Sequence, residues 1–238
     1  MRDLGKVVAH IPARAGSKRV KAKNLRYIDG KPLLAYSVEC AIAAEVCDEV
    51  YVNSDSEDML ALAESLGAKG YRRDGQLASD TASGDDFTYD FIKTMAPDTL
   101  VMISPVCPLI TAVEVKAALE KFQNSNCDTV ITCESTQMQT FCDGKEVNID
   151  LSGQLAPTQE NPIVHILNWA VTVWDAKKFV ENYENFGSAY IGKKRELLTI
   201  DPIKAVKISK ESDFELAESL LKIKKLEKKS EVKYWTNK

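Results

Sequence analysis

Residues 9–25 read A-H-I-P-A-R-A-G-S-K-R-V-K-A-K-N-L and follow an apolar run that begins at residue 6. Residues 6–11 predict a β-strand that ends at Pro12, because proline cannot donate a hydrogen bond to a strand ladder. Gly16 then allows the backbone either to approach a ligand closely or to adopt a positive φ. The five cations of this loop lie within ten positions with no acid between them: Arg14, Lys18, Arg19, Lys21 and Lys23. Such a loop predicts a polyanion site, with a solvated basic turn as the alternative.

The composition of the chain limits what this loop can bind. The chain has 238 residues, 45% hydrophobic and 28% charged, so we expect residues 1–238 to form a single domain. A net charge of −4 argues against nucleic acid as a partner and favours a local pocket for a small anion. The sequence has no run of eighteen apolar residues and no signal-peptide pattern, so we expect no membrane partner. Six scattered cysteines without a C-x-x-C pair are typical of reduced thiols in a cytoplasmic protein.

Helical and extended patterns alternate along the chain. Strands are predicted at 6–11, 49–53, 70–72, 99–103, 128–132 and 166–174, and helices at 32–42, 58–66, 85–95, 112–122 and 211–228. This alternation predicts an α/β fold with a mostly parallel sheet that is covered on both faces. Ligands of such sheets bind beyond the carboxyl ends of the strands, where the basic loop lies. Turn signals within about 137–192 predict a small excursion that caps the site or pairs subunits.

Two common phosphate-binding motifs are absent from the basic loop. A dinucleotide fingerprint requires G-x-G-x-x-G after the first strand, but Gly16 stands alone there. A Walker loop requires G-x-x-x-x-G-K-[ST], which the sequence also lacks. The sequence therefore disfavours a dehydrogenase and a P-loop NTPase.

The segment I-P-A-R-A-G-S-K-R-V-K-A-K-N-L at residues 11–25 closely resembles the opening motif of the acylneuraminate cytidylyltransferases. These are the CMP-sialic acid synthetases and their relatives that act on legionaminic, pseudaminic and Kdo-type acids. Further segments resemble later motifs of that family in the same order: 29–33, 53–57, 72–83, 105–109, 168–170 and 212–218. The resemblance spans nearly the whole chain and is strongest over residues 7–83.

This resemblance implies a Rossmann-like nucleotidyltransferase fold, a homodimer, and a role in supplying CMP-sugars for lipopolysaccharide or capsule. The implied reaction transfers CMP from CTP to the anomeric hydroxyl of an eight- or nine-carbon keto acid and releases pyrophosphate. Arg14 and Lys23 are implied as catalytic residues that bind phosphates, with Lys23 stabilising the departing pyrophosphate. The residues implied in CTP binding are Ala13, Gly16, Ser17, Lys18, Asn24, Arg73 and Ser83.

The sequence departs from the family at the segment that supplies carboxylates for Mg²⁺. The family's D-I-D-T-x-x-D aligns with residues 207–213, where Asp213 is the only acid that is kept. A lysine at position 207 repels a hard cation that prefers carboxylate oxygen. Three alternatives remain open: the triphosphate itself holds Mg²⁺, Lys207 substitutes for its charge, or Asp201 and Glu211 serve as ligands.

The acceptor side departs from the family as well. Ser104 replaces a glutamine, Ile166 or Leu167 replaces an arginine that receives the sugar-acid carboxylate, and Trp169 replaces a glycine. The predicted acceptor residues are Ser104, His165, Asn168 and Trp169, with a structural role as the alternative for His165. Two functions remain: a cytidylyltransferase with an altered acceptor, or a catalytically impaired nucleotide- or sugar-binding relative with a regulatory or dimer-partner role.

Overall fold

A computed structural model describes residues 1–17, 19–226 and 235 of the chain. Seven strands of the described residues form one central sheet: β1 Val7–Pro12, β2 Glu49–Ser54, β3 Lys69–Arg72, β4 Thr99–Ile103, β5 Thr129–Thr136, β6 Val164–Asp175 and β7 Arg195–Thr199. The α-helices are α1 Leu33–Ala44, α2 Glu57–Ser65, α3 Gly84–Met95, α4 Ala112–Gln123, α5 Ala176–Phe186 and α6 Glu211–Leu226. None of these helices is long and apolar enough to cross a membrane.

The sheet has the strand order β7-β5-β6-β4-β1-β2-β3. Strand β1 pairs in parallel with both β2 and β4, β2 pairs in parallel with β3, and β5 with β7. Strand β6 lies antiparallel between β4 and β5. The prediction of a mostly parallel α/β sheet is confirmed, and the carboxyl ends of β1, β2 and β4 meet at one edge.

Two hydrophobic clusters cover the two faces of the sheet. Along β1, Val7, Ala9 and Ile11 pack in one cluster with residues of α1 and α4, while Val8 packs in the other with Phe91 of α3. Successive side chains of a strand point to opposite faces, so a fully buried strand has to be apolar throughout. Burial on both faces explains why β1 reads as a continuous apolar run.

The range of the predicted excursion, about 137–192, contains both elements that pack in or against the central sheet and a connection outside it. Strand β6 lies within that range, and its residues 170–174 are buried because they sit at the centre of the sheet. Helix α5 also lies within it, and neither α5 nor β7 was predicted. The longest irregular part of the range is the connection 137–163, which contains a small hairpin of Phe141–Cys142 with Lys145–Glu146.

Candidate functional site

The basic loop is fixed to the end of β2. Pro12 stands beside Asn53 in the parallel register, and the Ala13 amide donates to the Asn53 carbonyl at 3.0 Å. One step further, the Ala15 amide donates to Asp55 Oδ1 at 2.9 Å. The turn that follows β2 therefore sets the direction in which the loop leaves the sheet.

A cleft of about 620 Å³ opens between this loop, the end of β4 and the irregular middle of β6. Five residues predicted to bind nucleotide line it: Arg14, Gly16, Ser17, Lys23 and Asn24. Two predicted acceptor residues line it as well: Ser104 and Trp169. The volume lies within the range of small-molecule sites. The predicted residue Lys18 lies outside the described residues, and Ala13 is buried behind the loop.

Cations approach the cleft from more than one wall. Arg14, Arg19 and Lys23 come from the loop, and Lys207 comes from the segment that precedes α6. Burial lowers the pKa of Lys23, and the charges of Arg19 and Lys207 lower it further. The Lys23 ammonium donates to the Ile208 carbonyl at 2.8 Å. The cleft is thus a concentrated positive site on a chain of negative net charge.

Arg14 has an ion pair that a ligand can displace. Its guanidinium lies 3.1 Å from Asp80 Oδ1 and donates to the Ser79 carbonyl at 3.0 Å. Both charged side chains are substantially exposed, so this pair contributes about 1 kcal/mol or less. A multiply charged phosphate group competes easily for the same guanidinium.

Asn24 lines the cleft and has a buried hydrogen-bond acceptor without a partner in the described part of the chain. The residue is 4% exposed, and its Oδ1 has no hydrogen-bond partner among the described residues. Its Nδ2 donates to the Arg14 carbonyl at 3.4 Å. A buried polar atom without a partner costs about 1–3 kcal/mol, which a ligand N–H or O–H would recover.

Gly16 has the open space that a close ligand requires. A Cβ at this position would meet nothing within 4 Å. The alternative of a positive φ is wrong for Gly16; within the loop the left-handed conformation occurs at Ala22, with φ 48°. Glycine at this position leaves space in front of the backbone, and it is not needed for a left-handed backbone conformation.

Arg73 is buried beneath the loop rather than in the cleft wall. Its Nε donates to Asn53 Oδ1 at 2.7 Å, its Nη2 donates to the Asn53 carbonyl at 2.9 Å, and its guanidinium lies 4.3 Å from the Phe87 ring centre. Burial lowers its pKa to about 10. On the same Asn53, the side-chain amide lies 3.0 Å from Nε2 of the fully buried His10, whose pKa burial lowers strongly. Arg73 therefore supports the carbonyl that holds Ala13.

Three further predicted residues have structural partners outside the main cleft. Ser83 caps α3, where its hydroxyl accepts from the Asp86 amide at 3.2 Å. His165 is exposed on β6, with Nδ1 2.9 Å from Ser135 Oγ. Asn168 stabilises the bulge of β6, because its Oδ1 accepts from Thr132 Oγ1 and the Ala170 amide. Asn168 lines an adjoining cavity of about 400 Å³ that also includes Lys207.

The residues predicted to hold a metal are engaged elsewhere. Asp201 accepts from the Ile203 amide at 2.8 Å, and Glu211 pairs with Arg26 at 2.6 Å. Asp213 accepts from two backbone amides at the start of α6. Within the described part of the chain, no three His, Cys, Asp or Glu side chains form a group that could hold a metal ion. This donor set does not fit a protein-held Mg²⁺, which prefers carboxylate ligands in a near-octahedral arrangement.

An aromatic wall closes one side of the cleft. The rings of Trp169 and Tyr190 lie 5.1 Å apart, and Tyr190 is held by its amide, which donates to Asp85 at 2.8 Å. Trp169 adopts φ 58°, a conformation that is strained for a large side chain. Sequence reasoning missed Tyr190, because only the folded sheet brings it to the loop. Arg19 was visible within the basic run but was given no role of its own.

The fold and the cleft define an α/β protein with a basic loop and a cleft beyond the carboxyl end of its first strand. The chain belongs to the cytidylyltransferase family, whose model matches residues 8–234. The family resemblance drawn from the sequence is therefore confirmed.

Individual relatives agree with this assignment. The N-acylneuraminate cytidylyltransferase of Escherichia coli O18:K1:H7 is 38% identical over 125 residues, which cover 50% of this chain but only 30% of that relative. The CMP-N,N'-diacetyllegionaminic acid synthase of Legionella pneumophila is 27% identical over 92% of this chain and 97% of its own length. The solved structure of a CMP:2-keto-3-deoxy-manno-octonic acid synthetase complexed with CTP superposes with a TM-score of 0.69 at 16% identity, covering 92% of this chain and 99% of that one. This superposition confirms the Rossmann-like fold.

Replacing Gly16 by alanine should weaken CTP binding without affecting folding. The added methyl group meets no protein atom, so the free energy of unfolding should change by less than about 0.5 kcal/mol. The same methyl group narrows the approach to the loop backbone, and we expect the Kd for CTP to rise about tenfold in calorimetry. Gly153→Ala, another open position far along the chain, is the control. Unchanged CTP affinity would show that phosphate does not approach Gly16.

Replacing Arg73 by lysine should reduce stability more than nucleotide affinity. Lysine cannot maintain both hydrogen bonds to Asn53 or the contact with Phe87, so urea unfolding should show a loss of about 2 kcal/mol. The exposed neighbour Arg72 pairs with Glu57, and Arg72→Lys should cost less than about 0.5 kcal/mol. A tenfold loss of CTP affinity at unchanged stability would instead indicate direct contact between Arg73 and the nucleotide.

Proposed function

We propose that this protein is a cytidylyltransferase that transfers CMP from CTP to the anomeric hydroxyl of an eight- or nine-carbon keto sugar acid. The observation that supports this function best is the convergence of Arg14, Lys23 and the unpartnered Oδ1 of Asn24 on one cleft. Cations suit the triphosphate, and a buried acceptor suits a hydroxyl or amino group of the nucleoside. The names of the relatives support a sugar acid as the acceptor class.

The reaction is an in-line displacement at the α-phosphorus of CTP. The acceptor oxygen forms a bond to that phosphorus, the bond to the bridging oxygen of the β-phosphate breaks, and the hydroxyl proton passes to solvent. Negative charge grows on the departing pyrophosphate, so fixed cations stabilise the transition state more than the ground state. Lys23 is suited to this role because its half-buried ammonium is held in place by the Ile208 carbonyl.

The acceptor would lie against Ser104 and the wall of Trp169 and Tyr190. An aromatic face packs against the C–H face of a sugar ring, while the Ser104 hydroxyl can bond to a sugar hydroxyl. In this proposal, the large Trp169 side chain makes the acceptor part of the cleft smaller than a glycine at this position would. His165 and Asn168 would then act through the shape of β6 rather than by contact.

Three further properties complete the proposal. The connection between β5 and β6 exposes Met138, Phe141, Leu151 and Leu155, each more than half exposed, and a second copy of the chain would bury them in a homodimer. Six unpaired cysteines are consistent with a cytoplasmic enzyme. Its CMP-sugar would serve in making lipopolysaccharide or capsule.

The direct test is release of pyrophosphate from CTP with a panel of nonulosonic acids, Kdo and neutral sugars. We expect turnover with at least one sugar acid, and we expect Lys23→Ala to reduce kcat/KM by about a hundredfold or more, because the departing pyrophosphate loses its fixed cation. Lys21 is exposed and does not line the cleft, so Lys21→Ala should lose much less.

Two outcomes would contradict this proposal. A Lys23→Ala enzyme with the wild-type rate would contradict the site assignment. CTP binding without turnover across the whole panel would favour the regulatory relative instead.

A further inference from the structure

Lys207 is presented to the cleft by a rigid segment. Ala205 and Ile208 are 3% and 0% exposed, while Lys207 between them is exposed and lines the cleft. The Ile208 amide donates to the Val106 carbonyl at 2.9 Å, which joins this segment to the loop after β4. Because buried residues on both sides hold this segment in place, the backbone position from which the Lys207 side chain extends is fixed.

The same segment is joined to the basic loop. The Lys23 ammonium donates to the Ile208 carbonyl at 2.8 Å. This hydrogen bond holds one cation of the loop against the backbone next to Lys207. Arg19 of the same loop and Lys207 of the other wall both lower the pKa of Lys23, because like charges lie close together, whereas Asp213 raises it. Among the described residues that line the cleft, none is Asp or Glu. An anion between these walls would relieve their repulsion.

The nearby carboxylates do not offer a ligand set for a divalent cation at this wall. Asp213 lies in the first turn of α6, and its carboxylate stabilises the start of that helix by accepting from the amides of Ser209 and Lys210 at 2.8 and 3.0 Å. Glu211 is paired with Arg26, and Asp201 stabilises its own turn. At this wall, the positive charge available to a ligand is therefore that of the Lys207 side chain and not that of a metal ion held by carboxylates.

We propose that Lys207 binds the polyphosphate of CTP from the wall that faces the basic loop, where it supplies the charge that a carboxylate-held metal ion would otherwise supply. This inference rests on the proposed function, since it concerns the same nucleotide. Lys207 forms no covalent bond with the nucleotide. It acts on the ground state and on the departing pyrophosphate by charge alone. Binding of CTP by the protein then does not require a protein-bound divalent cation.

The test measures binding of CTP and of CMP by calorimetry in excess EDTA, for the wild-type chain, Lys207→Met and Lys23→Met. The control is Lys210→Met, because Lys210 is exposed on the same segment but does not line the cleft. We expect wild type and the control to bind CTP in EDTA alike, and Lys207→Met to bind it at least about tenfold more weakly. CMP affinity should change by less than about twofold in Lys207→Met, because the nucleotide then lacks the outer phosphates.

The outcomes separate this inference from the proposed function. If Lys23→Met loses CTP affinity while Lys207→Met does not, the role of Lys207 is overturned and the phosphate site stands. If wild type binds CTP only when Mg²⁺ is added, the inference is also overturned. Absence of CTP binding under both conditions would overturn the proposed function itself. Thermal unfolding of each variant identifies any loss that reflects misfolding, and Lys207→Arg should then restore affinity.

Discussion

The geometry of the cleft depends on the attachment of the basic loop to the end of β2. The Asn53 carbonyl accepts from both the Ala13 amide and the Arg73 guanidinium, and Asp55 accepts from the Ala15 amide. Because β1 and β2 are parallel neighbours, these acceptors stand directly beside the point where the loop begins. Without them, a loop with so many like charges would extend into solvent rather than converge on one space.

This convergence works against the stability of the free protein. Lys23 is half buried beside other cations, and Asn24 carries a buried acceptor without a partner among the described residues. Both features raise the free energy of the unliganded folded state. A ligand with an anionic group near Lys23 and an N–H or O–H near Asn24 would offset this cost. The apolar sheet offsets this cost, since β1 and β4 are buried on both faces. The site is thus organised for its ligand at the expense of the unliganded chain.

Local sequence patterns predicted the elements whose signals are contiguous. The basic loop and helix α4 are examples, because each depends on residues within a few positions of one another. Strand β7 was missed because it is defined by pairing with β5, far away in sequence. Helix α5 has a local cap at Asp175 and ends before Gly187, but it follows β6 directly with no turn between them, which hides its start. The same limit applies to the site, because only the folded chain brings Tyr190 next to Trp169 in the cleft. Arg73 lies against Phe87 beneath the loop, and the sequence does not show this because packing decides the direction of the side chain.

The central position of β4 also affects how the chain is made. This strand consists of five buried residues, and its second neighbour is β6, which the ribosome delivers only after the whole of the intervening chain. At about 5–20 residues per second, the emerging protein exposes an apolar, unpaired strand edge for several seconds. Such an edge is a template for pairing with other nascent chains. Efficient production of this protein therefore depends on protecting that edge until β6 arrives.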